Sequence, residues 1–362
     1  MKRRDFLVAG AGASAGVLAA PAVVRAQETF TWRMTNAYPP GFPYLTAGPG
    51  SPTDFVEKVR KMSGGRMTIQ HFAAGELIPA LEGFDAVAAG TVEMNAANSY
   101  FWAGRIPAAQ IFSAVPFGLN QKGMAAWLYE GGGLELWQEL YDPMGLFALP
   151  FNDSGVQMTG WFREPVESLA DLDGLKMRIP GISGAVFNRL GVNVRLLPGG
   201  EIFPALERGV IDAAEFVGPF LDRRLGLHNA AKYYYTTGWH EPSTVGELLI
   251  NKAAWDGLPE DLQEIIRVAA MACHLESTAY NDTVNGEALR DLVENEGVIA
   301  RQLPADVVDG LRKTTDAVIA EMAEGDADFA RIYESYSAFR KDYWAWASVS
   351  EKPYYETIVS MS

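Results

Sequence analysis

Four polar residues stand in apolar surroundings in the middle of the chain. Gln157 lies in Gly155-Val-Gln-Met158, and Arg178 follows Leu175-Lys-Met. Glu215 stands between Asp212-Ala-Ala and Phe216-Val-Gly-Pro219, and Glu241 follows Trp239-His240. Charged side chains are seldom buried unless they are paired or liganded. A buried arginine presents a planar fork that matches a carboxylate in a bidentate way. Two carboxylates near it call for a cation, and Glu215, Glu241 and the Gln157 amide form an oxygen set suited to Na⁺ or Ca²⁺. Such an ion can also take a ligand carboxylate and the oxo or hydroxyl group beside it. The residues leave other readings open. Arg178 could form a salt bridge to one of the glutamates with no ligand, and Glu215 and Glu241 could be solvated loop carboxylates. Tyr100-Phe101-Trp102 offers an aromatic wall and a hydroxyl, or an ordinary piece of core. His240 reads as a packing residue or a neighbour of ligands rather than a ligand.

Groups for covalent chemistry are scarce. Beyond the first 26 residues the chain has no G-x-S-x-G, no H-E-x-x-H and no phosphate-binding loop. His71, His228, His240 and His274 are scattered without metal-ligand spacing, and Cys273 is the only cysteine, in the apolar run Ala269-Ala-Met-Ala-Cys273. A buried, inert thiol and no intrachain disulfide follow. These absences weigh against the competing reading, an exported metal-assisted lyase or hydrolase with Glu215 as base. Gly10-Ala-Gly12-Ala-Ser-Ala15 fits a loose dinucleotide fingerprint, but paired arginines precede it and Pro21 stops any long helix behind it.

The elements that must position these residues read as α/β. Phe30-Thr-Trp-Arg-Met34 and Met67-Thr-Ile-Gln-His-Phe72 predict strands with a helix at Pro52 to Met62 between them, and 175–179 and 192–196 repeat the pattern. Strands alternating with helices imply mostly parallel sheets covered on both faces. Gly75-Glu-Leu-Ile-Pro-Ala-Leu-Glu82 returns as Gly200-Glu-Ile-Phe-Pro-Ala-Leu-Glu207, identical at six of eight positions. Each copy leads through a helix and a glycine, Gly90 or Gly209, into an extended stretch. A long-period repeat in two copies fits two related lobes, which suits a length of 362 residues. From Pro259 onward the chain turns helical, with one very long helix or two in tandem between Glu260 and Glu296. Phe329, Ile332, Tyr336, Phe339, Tyr343 and Trp346 recur at alternating steps of three and four, a seam that packs on the chain's own lobes or pairs two subunits.

The first residues predict export. Lys2-Arg3-Arg4-Asp5-Phe6-Leu7 has a twin-arginine pattern, followed by a weakly hydrophobic Gly/Ala-rich run and Val24-Arg25-Ala26 for cleavage after Ala26. Losing Lys2, Arg3, Arg4 and Arg25 together with Asp5 takes the formal net charge from -15 to -18. So acidic a chain argues against nucleic acid or an anionic membrane as partner, and it means an anionic ligand needs a local positive group. No later stretch is long enough to span a membrane.

Several of these segments resemble the solute-binding receptors of tripartite ATP-independent periplasmic (TRAP) transporters. They are Phe72-Ala-Ala-Gly-Glu-Leu77, Leu175-Lys-Met-Arg-Ile179, Ala205-Leu-Glu-Arg-Gly-Val-Ile-Asp212-Ala-Ala-Glu215 and the long C-terminal helices. The chain is most similar to the α-keto acid receptors of that family. Val156-Gln157-Met158, Gly160-Trp-Phe-Arg163, Val217-Gly-Pro219 beside Glu215, Tyr233-Tyr-Tyr235 and Gly238-Trp239 with Glu241 carry the likeness. The resemblance implies two Rossmann-like lobes of periplasmic-binding-protein type with a cleft between them, a long connecting helix and a C-terminal helical extension. The expected division is a signal peptide at 1–26, a first lobe at 28–153 plus about 244–285, and a second at 154–243 plus about 286–325. Residues 326–362 form a C-terminal helix that is a candidate dimerisation element. The implied function is a periplasmic receptor, not an enzyme, that hands a small monocarboxylate to membrane permease subunits. A sensory receptor for the same ligands, partnering a membrane kinase, is the alternative. By resemblance, Arg178 binds the ligand carboxylate. Gln157, Glu215, the backbone carbonyl of Phe216, and Glu241 surround Na⁺ or Ca²⁺, and Tyr100 approaches from the first lobe. The chain departs from those receptors at two positions, with Phe216 and His240 where they carry tryptophan. The cation frame is kept while the pocket wall differs, so a different or longer 2-oxo or 2-hydroxy acid is expected.

Overall fold

Apolar alternation and helix start signals build the first lobe from its first residues. In the computed structural model, which describes residues 28–359, β1 (Phe30–Asn36) turns Trp32 and Met34 into a core shared with Phe55 and Val59. Those two belong to the helix Pro52–Met62, which opens with Ser51 accepting from the Asp54 N–H and Pro52 in the first turn. The expected export signal at 1–26 and the Gly10-Gly12 fingerprint lie outside the described residues.

Ten further strands follow among the described residues. They are β2 (Met67–Phe72), β3 (Met94–Ala97), β4 (Leu146–Asp153), β5 (Gly160–Phe162), β6 (Lys176–Arg178), β7 (Asn193–Arg195), β8 (Ala213–Ala214), β9 (Tyr233–Thr236), β10 (Val245–Asn251) and β11 (Ile299–Gln302). They form two sheets, ordered β2-β1-β3-β10-β4 and β11-β9-β5-β8-β6-β7. This is the expected two-lobed α/β architecture.

The sheets are less parallel than the alternation of strands and helices predicts. β10 runs antiparallel to β3 and β4, and β5 runs antiparallel to β8 and β9. The cause is topological. The chain passes from β4 in one sheet to β5 in the other, and from β9 back to β10. Each arriving strand enters at the end where the parallel strands finish, so it runs against them.

A third connection is the helix Glu260–Glu294, a single element of 35 residues rather than two in tandem. At 1.5 Å per residue it is about 52 Å long. It packs on β4 of the first sheet and on the helix Pro219–Leu225 of the second lobe. Cys273 lies on its buried face as a free thiol, and burial pushes its pKa up.

The eight-residue echo is not matched residue for residue. The first copy is a turn ahead of the helix Gly83–Ala88, whereas the second copy is itself the helix Gly199–Glu207. The copies become equivalent at their ends, where Gly90 and Gly209 take left-handed φ of 68° and 71° before β3 and β8. Near the C-terminus, the seam of the helix Ala327–Ala347 packs largely on its own chain. Phe329, Ile332 and Tyr336 are fully buried, the Tyr336 hydroxyl accepts from the Leu119 N–H at 2.7 Å, and Tyr343 donates to Asn120 at 3.0 Å. Past Tyr343 the side chains turn largely outward: Trp346 is 62% exposed, and Glu351 pairs with Lys122. No helix among the described residues is long and apolar enough to cross a membrane.

Candidate functional site

The sequence-predicted residues converge where the strands end. Arg178 is the last residue of β6 and Glu215 directly follows β8, both at the carboxyl ends of parallel strands, where α/β sheets place ligands. Tyr100 lies in the 3₁₀ turn Ser99–Trp102 just after β3. Gln157 lies on the crossing from β4 to β5, and Glu241 on the crossing from β9 to β10. The two crossings touch. The Gln157 N–H donates to the Glu241 carbonyl at 3.1 Å, and a Cβ on Gly238 would stand 2.3 Å from the Gln157 carbonyl oxygen, so only glycine fits there.

Three connections between the lobes meet at Asp153, which is fully buried at the end of β4. Its carboxylate accepts from the Gly155 N–H at 2.7 Å and from the Ser243 hydroxyl at 2.6 Å, one on each crossing. His274 of the long helix lies 3.5 Å away, and the Asp153 N–H donates to the Ser277 hydroxyl oxygen of that helix at 2.9 Å.

Between the lobes lies a small chamber. Gln157, Arg178 and Phe216 line it from the second lobe and the crossings, and Tyr38, Asn98 and Tyr100 from the first. The Phe216 ring meets Phe42 of the first lobe edge-on at 6.2 Å. Glu215 and Glu241 join the chamber through residues that line it. Arg178 Nη1 donates to the Glu215 carboxylate at 2.9 Å and to its backbone carbonyl at 2.8 Å, and Nε donates to the Leu197 carbonyl at 3.3 Å. The salt bridge weighed in the sequence is therefore present, and no hydrogen bond among the described residues engages Nη2. Gln157 Nε2 donates to Ser154 at 3.0 Å and to Thr244 at 2.9 Å, and Thr244 donates to Glu241. The network engages only the amide nitrogen of Gln157 and leaves its oxygen without a partner.

The electrostatics call for a cation. Burial pushes Glu215 up to about 8 against the pull of Arg178, and burial together with Glu215 pushes Glu241 up to about 8. Two buried carboxyls face one guanidinium. Ten buried side-chain nitrogen or oxygen atoms lack a hydrogen-bond partner among the described residues, and four of them lie here: Gln157 Oε1, Glu215 Oε1 and both ring nitrogens of His240. Buried polar atoms are normally satisfied, so such a concentration fits a ligand set. The residues present fit a bound cation.

Sequence reasoning missed several members of the site. Tyr38 and Asn98, which bond to each other, follow β1 and β3, and the strand-end rule would have found them. Asp222 carried no signal. Its carboxylate accepts from the N–H groups of Val217 and Gly218 and from Trp161 and Tyr234, at 2.8–3.1 Å, and so fixes the segment after Glu215. Burial pushes it up to about 6.

Residues 49–326 match the family described as DctP, bacterial extracellular solute-binding protein, family 7. The chain is 42% identical over 365 residues to a monocarboxylate 2-oxoacid-binding periplasmic protein of Nostoc sp., covering 98% of each. It is similar to a TRAP transporter solute-binding protein from Bordetella bronchiseptica, a mixed-occupancy dimer with copurified calcium and picolinate. The TM-score is 0.89 and the identity 35%, over 92% of this chain and 98% of that one. It is also similar to a TRAP periplasmic solute-binding protein from Pseudoalteromonas atlantica with bound sodium and pyruvate, at TM-score 0.88 and 38% identity over 91% and 100% of the two chains. A two-lobed fold, a chamber where strand ends meet and a match across most of the chain agree: this protein belongs to the DctP family, the bacterial extracellular solute-binding proteins of family 7, and is a receptor of TRAP type rather than an enzyme.

Proposed function

We propose that the chain is an extracytoplasmic TRAP receptor for a small monocarboxylate held together with Na⁺ or Ca²⁺. The ligand is a 2-oxo acid such as pyruvate or 2-oxobutyrate, or a 2-hydroxy acid such as lactate. One observation carries this reading: Arg178, with its Nη2 free, and Gln157, with its amide oxygen orphaned, line one small chamber, and the orphaned Glu215 carboxylate is bound to that Arg178. Arg178 takes the carboxylate. Gln157, Glu215, the backbone carbonyl of Phe216, and Glu241 hold the cation, and Tyr100 closes the chamber from the first lobe. The cation supplies a charge that a carboxylate and the oxygen beside it can chelate in one ring. Pyruvate and picolinate, the ligands of the two similar structures, both carry a carboxylate next to a second donor atom.

The first lobe comprises residues 28–153 and about 244–285, and the second 154–243 and about 286–325. Pairing of β11 with β9 supports the second assignment. The lobes open about Asp153, where the three connections meet, and the ligand selects the closed form. The chain reaches the periplasm by the twin-arginine route and delivers its ligand to TRAP permease subunits.

Melting-temperature shifts test the ligand. A ligand that binds only the native state stabilises it by about 2.7 kcal/mol at a hundred times its Kd. Pyruvate with Ca²⁺ or Na⁺ is expected to raise the melting temperature more than the two separate shifts combined, because each completes the other's site. A panel of 2-oxo and 2-hydroxy acids that produces no shift with either cation would overturn the proposal.

The homodimer forms through the exposed end of the C-terminal helix. Trp346, Val349, Tyr354 and Tyr355 are each more than half exposed there, an apolar surface with no cover from their own chain. Deleting 344–362 is expected to leave a folded monomer by light scattering, since the buried residues Phe329 to Tyr336 stay in place. An unchanged dimer would reject this end as the interface.

A further inference from the structure

His240 stands apart from the oxygen set around it. Its side chain is completely buried, and both ring nitrogens lack any hydrogen-bond partner. A buried imidazole ordinarily spends at least one nitrogen on a neighbour. Nε2 lies 3.9 Å from Glu215 Oε1, itself a buried orphan. That is too long for a hydrogen bond, which needs about 2.7–3.2 Å. It does suit two ligands of one ion. With bonds of about 2.1 Å, two ligands stand roughly 3.4 Å apart at the tetrahedral angle and roughly 4.2 Å apart across the ion. Glu241 offers a carboxylate oxygen to the same group, with all three ligand atoms within 4.8 Å of one another.

Charge points to the valence. Glu215 and Glu241 bring two negative charges and Arg178 one positive. A divalent ion with one monocarboxylate makes the buried site neutral, whereas a monovalent ion leaves it negative, which burial penalises. Imidazole selects within the divalent ions, because Ca²⁺ takes oxygen ligands while zinc, cobalt, nickel and iron accept ring nitrogen readily.

We propose that His240 is a direct ligand of the bound cation and that, beside Glu215, Glu241 and Gln157 Oε1, it extends the ions this site takes beyond Na⁺ and Ca²⁺ to divalent first-row transition ions. The inference rests on the cation-dependent receptor reading and adds a ligand to its cation site.

The test uses the full exported chain, stripped of metal, with Co²⁺, Mn²⁺ and Ca²⁺ as probes and pyruvate present. Calorimetry gives each affinity for wild type, His240→Leu and His240→Trp. Pulsed EPR of the Mn²⁺-loaded wild type reads directly bound ¹⁴N and needs no variant. The expected results are ¹⁴N coupling in wild type, tighter binding of Co²⁺ than of Ca²⁺, and a loss of Co²⁺ affinity in both variants. That loss should exceed the roughly 10- to 100-fold that residues merely supporting a ligand command, and should exceed any loss of Ca²⁺ affinity in the same variants. Absent ¹⁴N coupling, together with an unchanged Co²⁺ to Ca²⁺ ratio in the folded variants, would overturn the His240 assignment and leave the receptor reading intact. Failure of wild type to bind pyruvate with any of the ions would overturn both.

Discussion

Arg178→Ala is expected to weaken pyruvate binding by about 30- to 5,000-fold, or about 2–5 kcal/mol, in calorimetry at saturating Ca²⁺. Two losses combine. The ligand carboxylate loses its guanidinium partner, and Glu215 loses the Nη1 donor that meets both its carboxylate and its carbonyl. The second loss reaches the cation, because a Glu215 freed from Arg178 holds a proton more tightly and offers less charge. Above about pH 8, where Glu215 is ionised, the empty protein should also be less stable, by about 3–5 kcal/mol, as expected when one partner of a buried ion pair is removed. Arg178→Lys separates the two effects. It restores a positive charge beside Glu215 but not the planar fork, so stability should recover more than affinity does. Wild-type affinity in Arg178→Ala would refute the carboxylate role.

The parts of the site that could be read in the sequence are those where a charge interrupts an apolar run. Arg178 after Leu175-Lys-Met and Glu215 after two alanines stood out because burial demands a reason for charge. Gln157 and Glu241 were legible in the same way. The role of Thr244 was not, since a hydroxyl between Gln157 and Glu241 matters only once two crossings lie side by side, 87 residues apart in the chain. Asp153 was hidden for the same reason: it ends an ordinary strand, and its importance comes from three distant segments that converge on it. Strands and helices were legible because period and capping are local. Strand direction was not, because β5 and β10 take theirs from the crossings between lobes. The eight-residue echo pointed correctly to two lobes, yet its copies fold differently, one as a turn and the other as a helix. Sequence likeness there marks the shared approach to Gly90 and Gly209 more than a shared conformation. The C-terminal seam divides at Tyr343, with its first part in the monomer core and its last residue exposed.

The metal-free protein should lose stability as pH rises from about 4.5 to about 8, and a divalent cation should reverse the slope. Glu215 and Glu241 are pushed up to about 8 and Glu247 to about 7, from an ordinary 4.5, each chiefly by burial. Across that window the folded chain holds protons that the unfolded chain has released. Stability falls with pH wherever the native state binds more protons, so the contribution is complete below 4.5 and is lost as pH passes the folded values. One raised unit is worth about 1.4 kcal/mol, so even one unit on each of three carboxyls amounts to about 4 kcal/mol. Glu247 keeps its partners at every pH, with Trp102 donating at 2.9 Å and Tyr141 at 2.7 Å, whereas the other two carboxyls can exchange their protons for an ion. The melting temperature of stripped protein should therefore be higher at pH 5.5 than at pH 8.5, and saturating Ca²⁺ should add more at pH 8.5, where it displaces fewer protons. Glu241→Gln removes one titrating group and should flatten the slope of the stripped protein while weakening its response to Ca²⁺. A stripped protein whose melting temperature stays level or rises across the window would mean that these carboxylates are ionised without a cation, and that Arg178 alone suffices to balance them.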